Sequence, residues 1–107
     1  MKICVDLDGT ICENTRPGVS YADVKPLPGA VDTLEELKQR GYYIVIFTAR
    51  NMRACNNNVG RIIARQGKLV LEWLEKYGVP YDELRCGKPN VDYFIDDKGI
   101  KFTDWGD

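Results

Sequence analysis

Three apolar runs of β-branched and aromatic residues constrain the fold of this chain more than anything else in it. Ile3-Cys4-Val5 leads into Asp6, Ile44-Val45-Ile46-Phe47 into Thr48, and Tyr93-Phe94-Ile95 into Asp96. None alternates apolar with polar residues, as a strand with one wetted face would. Near-continuous runs of this kind mark parallel strands buried on both sides. Between the first two, Val31, Leu34 and Leu37 recur at helical spacing, with Glu35, Glu36, Lys38 and Arg40 on the other face and Gly41 as a stop. Val70, Leu71, Trp73, Leu74 and Tyr77 predict a second helix ending at Gly78, ahead of Pro80.

Strands that alternate with helices imply a parallel sheet with right-handed crossovers. The expected fold is therefore α/β, a three-layer Rossmann-like sheet with helices on both faces. Strands are expected over residues 2–7, from Tyr42 or Tyr43 to Phe47, within 83–86, and over 92–96. Residues 11–27 hold Pro17, Gly18 and Pro26 and read as an irregular excursion, long enough to act as a flap. Asn56-Asn57-Asn58 and Gly60 argue for a loop, with Ile62-Ile63-Ala64 opening a short helix.

The 107 residues suit one domain, 1–107, and a 44% hydrophobic content argues against disorder. A net charge of −1 gives no basic footprint for nucleic acid and no membrane-binding face. No apolar stretch approaches the roughly 20 residues of a membrane span, and Asp6 and Asp8 interrupt any signal-peptide core. Cys4, Cys12, Cys55 and Cys86 form no C-x-x-C pair and read as reduced thiols of a cytoplasmic protein. The chain has no histidine, which removes Ser-His-Asp and Cys-His systems and His-ligated zinc.

Parallel sheets bind ligands beyond the carboxyl ends of their strands. At that edge this chain would assemble Asp6, Asp8, Thr48, Lys88, Asp96 and Asp97. Each has an ordinary explanation alone. Asp8-Gly9 is a common turn dipeptide, Asp96-Asp97 a solvated turn before Lys98-Gly99, Thr48 a strand-end backbone partner, and Lys88 a loop lysine. Two acidic pairs at the ends of apolar runs are harder to explain as turns, because crowded carboxylates disfavour one another's charge. Oxygen-only ligands suit Mg²⁺, which accepts one or two carboxylates with substrate phosphate and water. Gly9 would let the backbone bend so that its N–H and that of Thr10 meet phosphate oxygens. Thr48 and Lys88 would supply the hydroxyl and the cation that a transferring phosphoryl group needs.

Asp6-Leu7-Asp8-Gly9-Thr10, Phe47-Thr48, Gly87-Lys88-Pro89 and Ile95-Asp96-Asp97 resemble, in that order, the four motifs of the haloacid dehalogenase (HAD) superfamily. The likeness spans residues 1 to about 100. It implies that Asp6 is a nucleophile forming an aspartyl-phosphate, and that Asp8 protonates the leaving group and then activates water. Thr48 and Lys88 would hold the phosphoryl group. Mg²⁺ would be bound by Asp6, the backbone carbonyl of Asp8, and Asp96, with Asp97 acting directly or through water. The intervals 11–47 and 49–87 are already filled by helix and strand, so the resemblance is to capless members with an open site. Such a site takes large substrates, or small ones shielded by a neighbouring subunit of a homo-oligomer. Thr48-Ala49-Arg50-Asn51-Met52-Arg53, Val59-Gly60 and Val79-Pro80-Tyr81-Asp82-Glu83 are similar to small phosphatases linked to bacterial capsule biosynthesis. That likeness implies a small phosphorylated substrate such as a sugar phosphate, with Ala49, Arg50 and Asn51 beside it. Arg53, Arg61 and Arg65 either contact an anionic substrate or form a solvated face.

Other functions compete. A receiver-type phosphoacceptor shares the acids, the Thr and the Lys, but places its acidic pair before the phosphorylated Asp, whereas here the second pair comes last. A macromolecular phosphatase, acting on a phosphoprotein or a polynucleotide end, keeps the same chemistry. An idle binding module would not need all six side chains.

Overall fold

The computed structural model describes residues 1–50, 52, 55–89 and 91–106. The elements follow as β1 (Lys2–Asp6), α1 (Ala30–Gln39), β2 (Tyr43–Thr48), α2 (Val59–Lys76) and β3 (Glu83–Cys86). The strands form one parallel sheet in the order β1-β2-β3. The expected parallel α/β class is thus what the chain forms.

Register assigns the faces of this sheet. Ile3 pairs with Ile44, Val5 with Ile46 and Ile46 with Leu84, so these side chains share one face. All of them join a single core with Ala30 and Leu34 of α1 and Val70, Trp73 and Leu74 of α2. Both helices therefore cover the same face, as right-handed crossovers winding in one direction require. The other face carries exposed Cys4 and Tyr43 together with Val45 and Phe47, and no described helix packs over it. In this respect the structure differs from the expected three layers.

Helix α1 is short and amphipathic, with Leu34 buried and Glu35 and Glu36 outside. Asp82 ties it to the sheet: its carboxylate accepts both from Lys38 Nζ at 2.6 Å and from the Ile44 N–H at 2.8 Å. Helix α2 is longer than its sequence suggested. The Asn58 side chain accepts from the Arg61 N–H and caps the first turn, so Val59 through Lys76 is one continuous helix despite Gly60 and Gly67. The asparagine run is partly a helix start, with only Asn56 and Asn57 left in left-handed backbone.

The 11–27 excursion is fastened at its base. Leu27 N–H donates to Ile11 O and Glu13 N–H to Lys25 O, so its two ends run together. Farther out, the Trp73 indole N–H donates to Val24 O at 2.8 Å, and Val24 is fully buried. Trp105 reaches back from the C-terminal region to donate to Thr10 O at 2.7 Å.

The strand expected over 92–96 is not formed. Residues 91–101 are exposed throughout, with Tyr93 at 87% and Ile95 at 99%. An apolar run becomes a strand only where neighbours cover it, and Tyr93 and Ile95 stand uncovered.

Candidate active site

Four of the predicted side chains meet at the carboxyl end of the sheet. Strand β1 delivers Asp6, and a tight turn after it delivers Asp8. Gly9 makes that turn with φ of 79°, and an added Cβ there would stand 3.0 Å from the Asn14 side chain. Thr48 ends β2. Lys88 follows β3 and is held one rung beyond it, because its N–H donates to Thr48 O at 3.0 Å.

The site divides into two parts. Asp6 stands half-buried, with Lys88 Nζ 3.4 Å from its Oδ1. Burial pushes the Asp6 carboxyl above its ordinary range, and the Lys88 charge only partly opposes that. Lys88 Nζ also lies 5.0 Å over the Phe94 ring.

Asp8 is fully engaged. Its Oδ1 accepts from Arg50 Nε at 2.8 Å, and its Oδ2 accepts from Thr48 Oγ1 at 3.0 Å. Thr48 is completely buried, and its Oγ1 also accepts from the Arg50 N–H. The Arg50 side chain is 1% exposed. It is turned into the protein toward Asp8, not outward toward a substrate as the sequence suggested. Its guanidinium lies 4.3 Å from the Tyr21 ring centroid and 3.7 Å from Cys12 Sγ. Cys12 is fully buried, and burial together with the Asp8 charge pushes its thiol up to about 12.

Other expectations meet different outcomes. The Gly9 N–H donates to Cys12 O and the Thr10 N–H to Leu7 O, so both amides close the turn instead of facing a phosphate. Ala49 packs beside Met52, Cys55 and Ile62. Arg61 and Arg65 are exposed on α2. Asn51 and Arg53 lie outside the described residues.

Asp96 and Asp97 are not brought to Asp6 and Asp8. Asp96 Oδ1 accepts from the N–H groups of Lys98 and Gly99 in its own turn, which holds its carboxyl below the ordinary range. Among the described residues no three Asp, Glu, His or Cys side chains converge as a metal site would need. The donors present nevertheless suit part of a Mg²⁺ site. Asp6 is an under-compensated half-buried carboxylate, and Mg²⁺ needs only one or two such ligands beside phosphate and water.

Sequence reasoning missed Tyr21, and nothing in its spacing marks it. It also missed that Arg50 serves Asp8. The lone signal was an arginine two residues after a strand-end threonine, a position from which it can fold back over the strand end.

Comparison with known proteins accords with this geometry. A profile of haloacid dehalogenase-like hydrolases matches residues 3–73. A crystal structure of a target protein from Vibrio cholerae superposes with a TM-score of 0.83 at 41% identity, covering 92% of this chain and 81% of that one. A chain of a Pnkp1/Rnl/Hen1 complex superposes with a TM-score of 0.55 at 26% identity, covering 89% of this chain and 30% of that one. No curated protein matches.

Proposed function

This chain belongs to the haloacid dehalogenase-like hydrolases, and we propose that it is a Mg²⁺-dependent phosphomonoester hydrolase working through an aspartyl-phosphate on Asp6. The observation that carries this reading is the pairing of Asp6 with Lys88 at 3.4 Å beside a second carboxylate, Asp8, locked by two donors. One half of the site is a nucleophile beside a cation. The other half is an oriented group for proton transfer.

The chemistry runs in two displacements. An Asp6 carboxylate oxygen attacks phosphorus, the bond from phosphorus to the leaving oxygen breaks, and that oxygen takes a proton from Asp8. Water then attacks the aspartyl-phosphate and gives its proton to Asp8, phosphate leaves, and Asp6 is restored. Lys88 stands where it can offset charge on the phosphoryl oxygens. Asp8 Oδ2 can carry a proton once the Thr48 hydroxyl no longer donates to it. The Thr48 hydroxyl can turn away by rotation about one bond, whereas the Arg50 guanidinium is packed in place. The released hydroxyl would then be free to donate to the phosphoryl group. Asp6 would be the first protein ligand of Mg²⁺, with Asp96 and Asp97 joining only if segment 91–101 moves inward. Bound there, the cation supplies positive charge that neutralises the phosphoryl oxygens.

The substrate we propose is a small phosphorylated metabolite, a sugar phosphate of polysaccharide assembly. The likeness of the segment from Thr48 to Arg53 to capsule-linked phosphatases supports this class. No helix among the described residues is long and apolar enough to cross a membrane. Among the described residues no cap domain stands over the site, and a second subunit would supply shielding.

The test is Mg²⁺-dependent phosphate release from sugar phosphates, nucleotides and p-nitrophenyl phosphate, with Asp6→Asn alongside. The expected result is release by the wild type, stopped by EDTA, restored by Mg²⁺ and absent in the variant. Release that survives in Asp6→Asn would rule out Asp6 as nucleophile, and indifference to chelation would sink the metal assignment.

A further inference from the structure

Arg50 is a charge with almost no access to water, and a buried charge persists only where partners repay its lost hydration. Its partners here are Asp8 and a ring. Nε–H donates to Asp8 Oδ1 at 2.8 Å, and the guanidinium carbon lies over the Tyr21 ring, 4.3 Å from its centroid. A second connection runs through the backbone. The Arg50 N–H donates to Thr48 Oγ1, which in turn donates to Asp8 Oδ2. Asp8, Arg50 and Thr48 therefore close a ring of three hydrogen bonds, all between groups at strand ends. Tyr21 belongs to the 11–27 excursion, which Trp73 anchors three residues farther along at Val24.

We infer that Arg50 is a positioning residue that holds the Asp8 carboxylate in its working orientation, with Tyr21 keeping the guanidinium in plane. Part of the 11–27 excursion then belongs to the catalytic apparatus and is not merely its cover. This rests on Asp8 serving as the proton carrier proposed above. Geometry separates the role from substrate binding. With Nε spent on Asp8, Nη2 against Cys12, the guanidinium carbon over the Tyr21 ring and the side chain 1% exposed, little of the group is left for a ligand. It also separates arginine from lysine, because a compact ammonium cannot both donate to Asp8 as Nε does and reach over the Tyr21 ring as the guanidinium carbon does.

The experiment compares Arg50→Lys, Arg50→Ala, Tyr21→Leu and Tyr21→Phe with wild type and Asp8→Asn, each shown folded by its thermal melt. Steady-state kinetics use the best substrate of the panel above. In Arg50→Lys, kcat should fall about ten- to a hundredfold, the scale of a misplaced catalytic group, while KM stays within about twofold. Tyr21→Leu should shift kcat in the same direction, and Tyr21→Phe should retain more of it than Tyr21→Leu. Millimolar guanidinium should restore part of kcat to Arg50→Ala and none to Asp8→Asn. The carboxylate ¹³C resonance of Asp8, assigned with Asp8→Asn, should move in both Arg50→Lys and Tyr21→Leu.

A rise in KM at constant kcat in Arg50→Lys would overturn the inference in favour of direct substrate contact. Unchanged kcat and an unmoved Asp8 resonance would overturn it outright. If Arg50→Ala does not fold, Arg50→Lys and the two Tyr21 variants decide the matter. Wild-type release that depends on Asp6 but is indifferent to these variants refutes only the positioning role. The absence of any Asp6-dependent release refutes the proposed function, and this inference with it.

Discussion

Trp73→Phe tests the fastening of the 11–27 excursion. The substitution keeps an aromatic ring in the core, where Trp73 is 3% exposed, and removes one donor. That donor serves Val24 O at 2.8 Å, on a residue with no exposed surface. Water cannot replace the lost N–H there, so the carbonyl bears its full desolvation penalty, about 1–3 kcal/mol. The smaller ring adds a cavity term of the same sign. The expected loss is about 2 kcal/mol, against the 3–5 kcal/mol that Trp→Ala costs in a core (about 4 in mid-range). In a domain of this size each kcal/mol moves Tm by roughly 4–8 °C, so Trp73→Phe should melt about 10 °C below wild type. Trp105→Phe is the internal control. It removes an indole bond of similar length, 2.7 Å, from Thr10 O, but Thr10 is only half-buried and water can step in. Its cost should be under about 1 kcal/mol. Thermal denaturation by circular dichroism reads both. If Trp73→Phe melts within 2 °C of wild type, or below Trp105→Phe by nothing measurable, the excursion is not held through this bond. The expected hydrogen-exchange signature is faster exchange confined to residues near Val24.

Two further outcomes follow from charge and burial. Because burial raises the folded-state pKa of Asp6, its ionised form costs stability, and the cost is present above that pKa and vanishes below the unfolded value. In metal-free buffer, Asp6→Asn should therefore melt higher than wild type at pH 7, with the advantage shrinking as pH falls through the carboxylate range; a lower melt at pH 7 would contradict the burial argument. Cys12, fully buried with its thiol pushed up to about 12, should resist iodoacetamide at pH 8 while exposed Cys4 reacts, as peptide mapping would read; rapid labelling of Cys12 in folded protein would show that the network opens.

Much of the fold was legible in the residues because local pattern and final packing agree. Strands β1, β2 and β3 and helix α1 lie within a residue or two of where apolar runs and helical spacing put them. The start of α2 was not legible, because Asn56, Asn57 and Asn58 have the same composition whether they form a loop or a cap. Only the bond from Arg61 to Asn58 distinguishes them. The segment 92–96 shows the converse. Its apolar run states what it would do if covered, and Tyr93 and Ile95 are not covered. In the site, Asp6, Asp8, Thr48 and Lys88 were readable because their chemistry is carried by position along the chain. Arg50 and Tyr21 act through a meeting in space between distant segments, which spacing does not encode.

Register also sorts the site by its exposure to change. Asp6 pairs with Phe47 and so leaves the sheet on the face bare of described helices, whereas Thr48 points with Ile44 and Ile46 into the helix-covered core. The proton-carrying half is therefore embedded in side chains whose volumes are fixed by packing, and substitutions there would disturb the fold along with the chemistry. The nucleophile half opens onto the face that carries exposed Cys4 and Tyr43 and no described helix. Sequence drift on that face can reshape access to Asp6 at small cost to stability, so substrate preference could diversify on one side of the sheet while the acid–base machinery on the other stays fixed.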